Sequence, residues 1–359
     1  MTYNRLAALR ELLKKQHCTH ILVSDTVDVE YISGFHSSSA VLLVSRNAGL
    51  LFTDFRYKEA AEKFCGKNSE WKFVLAAESN FKYIGDYVKK GSVLGIQSNS
   101  LTIDRYDELK SVCRGSRLLR LSTRISDLSI RKLPGEIASM RKAASAGDKA
   151  FEAILGYLKS GVTEIDIAQT LERLCSDFGS QKPSFDTIVL FGPRTALPHG
   201  RPGQTRLKRG DWVLFDFGCT IDGFFSDMTR TVVAGRADER QKHIYSIVLR
   251  AQETARKTAR SGIKTSELDS YARKIIESEG YGEQFGHALG HGVGLRIHER
   301  PRVSPHINEI LMENTVVTIE PGVYITGFGG VRIEDMVVLH DNGAGVLTRA
   351  PRDLIETNV

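Results

Sequence analysis

Four acidic residues lie inside runs of apolar residues, and this feature constrains the fold more than any other. The run DWVLFDFGCTIDGFFSDMTRT contains Asp216 and Asp227, and the runs TVVTIE and GVRIEDMVV contain Glu320 and Glu334. A carboxylate in an apolar strand is expensive to bury unless it is paired or bound to a metal. The fold must therefore supply these four acids with cationic partners.

The first two acids flank a predicted hairpin turn, the polar segment Ile221-Asp222-Gly223. With a two-residue turn at 221/222 or at 222/223, Asp216 and Asp227 lie opposite each other or one diagonal step apart. In both cases the two acids share a face. They could equally be strand acids that pair with Arg230 or cap a loop, and these residues alone leave both interpretations open.

The second two acids, Glu320 and Glu334, lie 14 residues apart around a glycine-rich loop centred near Gly327. A hairpin folded about Gly327 places them on one face as well. Two such pairs of inward carboxylates need cations, and the nearby Arg332 cannot neutralise all four charges.

Three histidines follow in the segment GHALGHGVGLRIHE, namely His287, His291 and His298. The first two have the i, i+4 spacing of a helical metal site, but four glycines in the segment make a helix improbable. An extended segment that presents imidazoles into a cavity fits better. Three histidines within 12 residues favour a functional role over a purely structural one.

Charge balance connects these groups, because four carboxylates match two divalent cations, with His291 as a neutral ligand. Two metals bridged by carboxylates, about 3.5–4 Å apart, activate a shared water and stabilise a tetrahedral centre, which indicates hydrolysis. Oxygen and imidazole ligands accept Mn²⁺, Fe²⁺, Co²⁺ or Zn²⁺.

The pattern of helices and strands predicts two regions. From residue 19 to about 122, apolar strands alternate with amphipathic helices, as in a small α/β domain. A long helix opens at Pro134 and runs to about Ser160, and a second helix starts with Thr163 as its N-cap. Residues 187–235 and 315–347 are predicted strands and hairpins, separated by helices at about 238–260 and 265–279, the latter capped by Thr265 or Ser266.

The motifs LPHG (197–200), DFG…SDMTRT, HALGHGVGL…HE, TIEPGVY and GVRIED, in this order and spacing, resemble those of the Xaa-Pro aminopeptidase and prolidase group of metallopeptidases. The resemblance is strong over residues 130–355 and weaker before them. It implies an α+β fold in which a catalytic pita-bread (creatinase/aminopeptidase) domain, residues 131–359, follows a smaller α/β N-terminal domain, residues 1–130.

The resemblance also implies roles for individual residues. Glu320 is the expected general base, His199 and His298 are expected at the reacting carbonyl, and His287 and Arg332 are expected to contact substrate with them. The expected cofactors are two divalent metal ions, Mn²⁺ first, with Co²⁺, Zn²⁺ or Fe²⁺ as alternatives. The expected metal ligands, of which Asp227 and Glu334 bridge, are Asp216, Asp227, His291, Glu320 and Glu334.

The activity implied by the resemblance is removal of a residue that precedes proline, from peptides with proline in second position. Proline lacks the N–H that general peptidases use, so this bond needs its own enzyme. An Xaa-Pro aminopeptidase is favoured slightly over an Xaa-Pro dipeptidase (prolidase). A non-catalytic binding module of the same fold and a metal-free creatine-type amidinohydrolase are disfavoured, because the five expected ligands are all present. A methionine aminopeptidase would not need the first domain.

Composition excludes other classes. Charged residues interrupt every apolar stretch before the roughly 18 residues that a membrane span needs, and the charged start, with Leu6, Leu9, Leu12 and Leu13 on one helix face, is unlike a signal peptide. Five cysteines without a CxxC pair indicate free thiols and, with the missing signal peptide, a cytoplasmic protein.

Net charge does not indicate a nucleic-acid partner. The chain carries +6, and residues 1–130 contain 19 Lys/Arg against 14 Asp/Glu, but these charges are scattered rather than clustered. We therefore expect no nucleic-acid or membrane partner, and the family resemblance implies a homodimer.

Overall fold

The computed structural model describes residues 4–359, which fall into two units, 4–129 and Ile130–Val359. The first three residues of the predicted N-terminal domain lie outside the described residues. Each unit has its own sheets and its own buried core.

The first unit has the predicted alternation of strands and helices, and it also contains a helix, α2, that the apolar pattern does not reveal. Leu6, Leu9, Leu12 and Leu13 form the buried face of the first helix, as their spacing predicts. Its elements are α1 (Arg5–Lys15), β1 (His20–Val23), α2 (Thr26–Ser33), β2 (Val41–Ser45), β3 (Gly49–Thr53), α3 (Lys58–Lys67), β4 (Trp71–Leu75), β5 (Val93–Ile96), α4 (Ile103–Val112) and β6 (Arg117–Arg120).

These strands form one mixed sheet in the order β4-β3-β2-β1-β5-β6. Strand β2 is antiparallel to both of its neighbours, whereas the outer pairs β3–β4, β1–β5 and β5–β6 are parallel. Parallel neighbours need crossover connections, which explains why helices alternate with strands in this part of the sequence.

The second unit combines four long helices with strands that, apart from the parallel pair β11–β19, are antiparallel. Its elements are α5 (Pro134–Ile154), α6 (Glu164–Asp177), β7 (Ile188–Phe191), β8 (Trp212–Phe217), β9 (Thr220–Ile221), β10 (Phe224–Phe225), β11 (Met228–Ala234), α7 (Glu239–Thr258), α8 (Thr265–Ser278), β12 (Gly290–Gly292), β13 (Glu299–Val303), β14 (Val316–Ile319), β15 (Gly322–Ile325), β16 (Gly329–Arg332), β17 (Asp335–His340), β18 (Gly343–Val346) and β19 (Glu356–Thr357).

Each pair of helices shares a buried core with one group of strands. Helices α5 and α6 share theirs with β7, β8 and β11, where Phe151 and Phe215 meet edge-to-face at 5.8 Å between ring centroids. Helices α7 and α8 share theirs with β14 and β17 through residues such as Val248 and Val317. The α+β prediction is confirmed. Strands β8 and β11 of the first core flank one predicted hairpin, and strands β14 and β17 of the second core flank the other.

The first hairpin uses the second of the two predicted turns. Asp222 and Gly223 have φ of 52° and 79°, as in a two-residue turn between β9 and β10. Strand β11 pairs with β8 so that Thr229 lies opposite Asp216. Asp227 is therefore one diagonal step from Asp216 and shares its face.

The second hairpin turns at Gly327, whose φ is 80°. Ile319 pairs with Asp335 and Gly322 pairs with Arg332, and continuing this register between the two pairs places Glu320 opposite Glu334. Both predicted hairpins are present, and each carries two acids on one face.

One predicted helix end and one predicted helix cap are wrong. Helix α5 ends at Ile154 rather than near Ser160, and a 3₁₀ turn, Leu155–Tyr157, leads to the extended, buried Leu158. Helix α8 has no side-chain cap, because the Thr265 hydroxyl donates to the carbonyl of Ile307. In both places tertiary packing overrides the local signal.

None of the helices in residues 4–359 combines the length and the apolar character that crossing a membrane requires.

Candidate metal centre

Side chains from both hairpins and from β12 converge at one buried position. His291 Nε2 lies 3.6 Å from Asp227 Oδ2 and 3.4 Å from Glu320 Oε1. One ligand atom from each of Asp227, His291 and Glu334 can be chosen so that all three lie within 4.8 Å of one another. Three of the five predicted ligands thus lie close enough together to share one ion, and Glu320 lies beside one of them, His291.

Asp216, the fifth predicted ligand, joins the same cluster through Arg332. The Arg332 guanidinium donates to Asp216 and, through Nε at 2.9 Å, to the Thr229 hydroxyl. That hydroxyl donates to Glu334 Oε2 at 2.7 Å. Within residues 4–359, Arg332 is therefore the arginine that connects these carboxylates by side-chain hydrogen bonds.

The acids are buried close together and repel one another. Burial, together with the neighbouring carboxylates, raises the pKa of Asp227 and of Glu334 well above the ordinary range. Burial also raises the pKa of Glu320 to about 7, against the opposing charge of Arg332. A second source of positive charge is needed to keep all these groups ionised.

His291 is a neutral imidazole in this site, since burial, aided by His298, lowers its pKa to about 4. Its Nδ1 lies 3.1 Å from the carbonyl of Gly292 and so carries the proton. The lone pair of Nε2 then faces the carboxylate oxygens of Asp227 and Glu320. Acceptors that face acceptors across less than 4 Å form a site for a cation rather than a hydrogen-bond network.

A divalent cation fits these residues. Glu334 Oε1 is buried and has no hydrogen-bond partner, although its other oxygen is bonded to Thr229. A buried, unpartnered carboxylate oxygen is costly, and a metal ion would satisfy it. Carboxylate oxygens with one imidazole nitrogen form a donor set that suits hard to borderline divalent metals.

Thr318 and Arg230 form further contacts beside the cluster. The Thr318 hydroxyl accepts from the backbone N–H of His291 at 3.0 Å and donates to Glu320 Oε1 at 3.2 Å. Arg230 pairs with Asp335 at 2.8 Å in a fully buried ion pair. The alternative that Arg230 neutralises Asp216 and Asp227 is therefore wrong.

The other predicted histidines surround this cluster. The His298 ring packs edge-to-face on His291 with centroids 4.4 Å apart. His287 Nδ1 lies 2.8 Å from the carbonyl of Ala288, and its Nε2 lies 3.0 Å from the Tyr324 hydroxyl. His199 is exposed, and it lies on the irregular segment that follows a 3₁₀ turn, Gly192–Ala196.

Tyr324 is a site residue that the sequence analysis missed. Its hydroxyl accepts from Arg332 Nη1 at 2.9 Å and contacts His287, so it links the arginine to the histidine. Burial raises its pKa to about 12, which keeps the hydroxyl protonated. Its position could have been inferred, because Glu320, Gly322 and Tyr324 alternate along an extended segment and share a face.

Both units match known protein families. Residues 138–341 match metallopeptidase family M24, and residues 5–128 match the creatinase/prolidase N-terminal domain.

Similar proteins extend over nearly the whole chain. The Xaa-Pro dipeptidase of Pyrococcus furiosus is 37% identical, over 98% of this chain and 99% of the relative. The structure of an Xaa-Pro dipeptidase from Bacillus anthracis is 34% identical, with a TM-score of 0.93 and 98% coverage of both chains. The structure of an X-Pro aminopeptidase from Thermotoga maritima is 33% identical, with a TM-score of 0.87, and covers 96% of this chain and 99% of that chain.

The buried carboxylate–imidazole cluster and these matches agree, and the pita-bread fold predicted from the motifs is confirmed. The chain belongs to metallopeptidase family M24, a family of metal-dependent hydrolases, and carries a creatinase/prolidase N-terminal domain ahead of the metallopeptidase domain.

Proposed function

We propose that this protein hydrolyses the peptide bond between an N-terminal residue and a following proline, with divalent metal ions as cofactors. The observation that carries the proposal is the Nε2 lone pair of His291, which faces Asp227 and Glu320 inside a cluster of four carboxylates. The names of the relatives, Xaa-Pro dipeptidase and X-Pro aminopeptidase, support the choice of substrate.

The proposed site holds two divalent ions, Mn²⁺ first, through Asp216, Asp227, His291, Glu320 and Glu334. Asp227 and Glu334 are the proposed bridging ligands, and the unpartnered Oε1 of Glu334 supports this role. When bound, such ions supply Lewis acidity, which polarises a carbonyl group and eases the ionisation of water.

Glu320 is the proposed general base. Its carboxylate lies in the buried cluster with Oε1 3.4 Å from His291 Nε2, where it can accept a proton from a water held at the same site. Glu320 accepts a proton from the attacking water at a carboxylate oxygen and then delivers it to the departing proline nitrogen. The neighbouring Thr318 hydroxyl orients that carboxylate.

The remaining proposed roles concern substrate. His199 and His298 hold the reacting carbonyl, while His287 and Arg332 contact the substrate beside them. The Arg332–Tyr324–His287 chain of hydrogen bonds supports a preorganised wall on this side of the site.

Substrate length depends on what lies beyond the proline. A dipeptidase needs a cation for the free carboxylate, whereas an aminopeptidase leaves that direction open. Of the two candidate arginines on β13, Arg300 is paired with Glu309 at 2.9 Å. Arg302 lies opposite His291 in the sheet. The position of Arg302 and two of the three relatives favour the dipeptidase alternative over the aminopeptidase preference of the sequence analysis.

In this proposal residues 131–359 carry catalysis and residues 1–130 form an N-terminal domain. A homodimer and a cytoplasmic location stay predictions.

Metal dependence provides the main test of the function. Protein stripped with a chelator should lose turnover of Ala-Pro and of Ala-Pro-Ala, and Mn²⁺ or Co²⁺ should restore it, because the clustered acids need cations. Asp227→Asn should retain less metal by elemental analysis. Full activity in protein free of metal would exclude the dinuclear mechanism, and metal-loaded protein inactive on every Xaa-Pro peptide would exclude the proposed substrate.

Replacing the proposed base should reduce rate rather than folding. Glu320→Gln preserves size but removes the proton acceptor, so kcat should fall by ~10²–10⁴-fold. The exposed Glu313→Gln is the control and should leave kcat unchanged. A Glu320→Gln enzyme with kcat near that of the wild type would show that another group accepts the proton.

Arg302 should distinguish dipeptides from longer peptides. Arg302→Ala should raise KM for Ala-Pro about ten-fold or more, through loss of a charge-assisted hydrogen bond, and should affect Ala-Pro-Ala less. Arg300→Ala, which removes the neighbouring arginine of the same strand, is the control. Equal effects of Arg302→Ala on both substrates would remove Arg302 as a carboxylate-binding group.

The predicted homodimer is tested by light scattering. We expect a mass of twice 39.9 kDa at micromolar concentration, since two-fold dimers are the commonest assembly and the family resemblance implies one. A fully active monomer would contradict the prediction.

A further inference from the structure

His287 lies on a segment that lacks regular secondary structure to fix its conformation. Residues 285–289 connect a 3₁₀ turn, Gly282–Gln284, to strand β12 and have no regular secondary structure. Gly286 lies next to His287 and adds backbone freedom. A side chain on such a segment keeps one orientation only if neighbouring groups fix the backbone.

Asp269 and Arg273, one turn apart on helix α8, form a two-pronged ion pair that we name the α8 clamp. Arg273 Nε donates to Asp269 Oδ1 at 2.7 Å, and Nη2 donates to Oδ2 at 3.0 Å. The Asp269 side chain is fully buried, and that of Arg273 is 18% exposed. The planar guanidinium still has donors to spare after this pairing.

The α8 clamp binds the backbone of the His287 segment at three alternate residues. Arg273 donates to the carbonyl of Phe285 at 3.0 Å and to the carbonyl of His287 at 2.8 Å. Asp269 Oδ2 accepts from the backbone N–H of Leu289 at 3.0 Å. These three bonds supply the partners that regular secondary structure would otherwise provide.

Ring contacts extend the same support to the imidazole. The Arg273 guanidinium lies 4.2 Å from the centroid of the Phe285 ring. That ring meets His287 edge-to-face at 5.0 Å between centroids. His287 is therefore held through its backbone carbonyl and through its ring, with Tyr324 at Nε2.

The α8 clamp also reaches the carboxylate cluster. The carbonyl of Leu289 accepts from the backbone N–H of Glu320 at 2.8 Å. A single residue, Leu289, thus lies between Asp269 and the backbone of the proposed base.

We propose that Asp269 and Arg273 are positioning residues for the peptidase reaction, which act by fixing His287 where it contacts substrate. This inference rests on the proposed function. Burying an ion pair contributes little net stability compared with apolar side chains of the same volume. Apolar side chains could not form the hydrogen bonds that this pair makes to residues 285–289, which gives a reason for burying the pair here.

Arg273→Lys tests the role of the guanidinium. Lysine keeps the charge but cannot donate to Asp269 and to two carbonyls in one plane. We expect KM for Ala-Pro to rise about ten-fold, with a smaller change in kcat and with metal content unchanged by elemental analysis. The control is Arg173→Lys, which alters an exposed Arg–Asp pair of i, i+4 spacing on α6 and should change neither constant. An unchanged KM, or loss of metal, would overturn the proposal.

A double-mutant cycle distinguishes positioning from general support. If Arg273 acts through His287, Arg273→Lys should change kcat/KM less than about two-fold in a His287→Ala background. A purely structural pair would lower kcat/KM by the same factor in both backgrounds, and that result would overturn the proposal.

A measurement without turnover separates this inference from the proposed function. In zinc-loaded protein, the imidazole NMR signals of His287 should shift in Arg273→Lys and remain in place in Arg173→Lys. If the wild type cleaves no Xaa-Pro peptide but the shift occurs, the proposed function fails and the α8 clamp stands. If no shift occurs, the α8 clamp does not hold His287.

Discussion

Uncompensated negative charge in a buried site is the constraint on which the second unit depends. Asp216, Asp227, Glu320 and Glu334 share one cluster, and Arg332 is the arginine that contacts it within the described residues. Arg230, which could have supplied a second positive charge, is paired with Asp335. The fold therefore holds its acids close together against their repulsion, which is what a site for divalent cations requires.

Two antiparallel hairpins provide the rigidity to do this. Each hairpin fixes two acids on one face, and hydrogen bonds between β11 and the second hairpin fix one hairpin against the other. Thr229 accepts through its carbonyl from the Glu334 N–H at 3.1 Å, and Thr231 bonds to the backbone of Arg332. Because these strands also line the two buried cores, a shift of any one of the four acids would disturb the packing of the core residues beside it.

The sequence predicts the two hairpins and the face that each acid occupies, because both follow from the alternation of residues along a strand. The Asp222-Gly223 turn and Gly327 set the two hairpin registers, and a register of period two decides which acids share a face. The same alternation places Tyr324 on the face of Glu320, so this residue could also have been predicted. The end of α5, the missing cap of α8 and the partner of Arg230 depend on contacts between distant segments, such as Thr265 with Ile307, which no local pattern contains.

The site divides into rigid and adjustable parts. The acids lie within or directly beside strands, whereas His199 and His287 lie on irregular segments, each supported by a buried carboxylate on a helix. Asp269 serves the segment of His287, and Glu164 bonds to Arg194 and to the backbone N–H groups of Phe191 and Gly203 around His199. Substitutions in these segments can reshape the surroundings of a substrate while the strands keep the carboxylate cluster intact. This separation gives a physical reason why relatives named dipeptidase and aminopeptidase can share one fold with this chain.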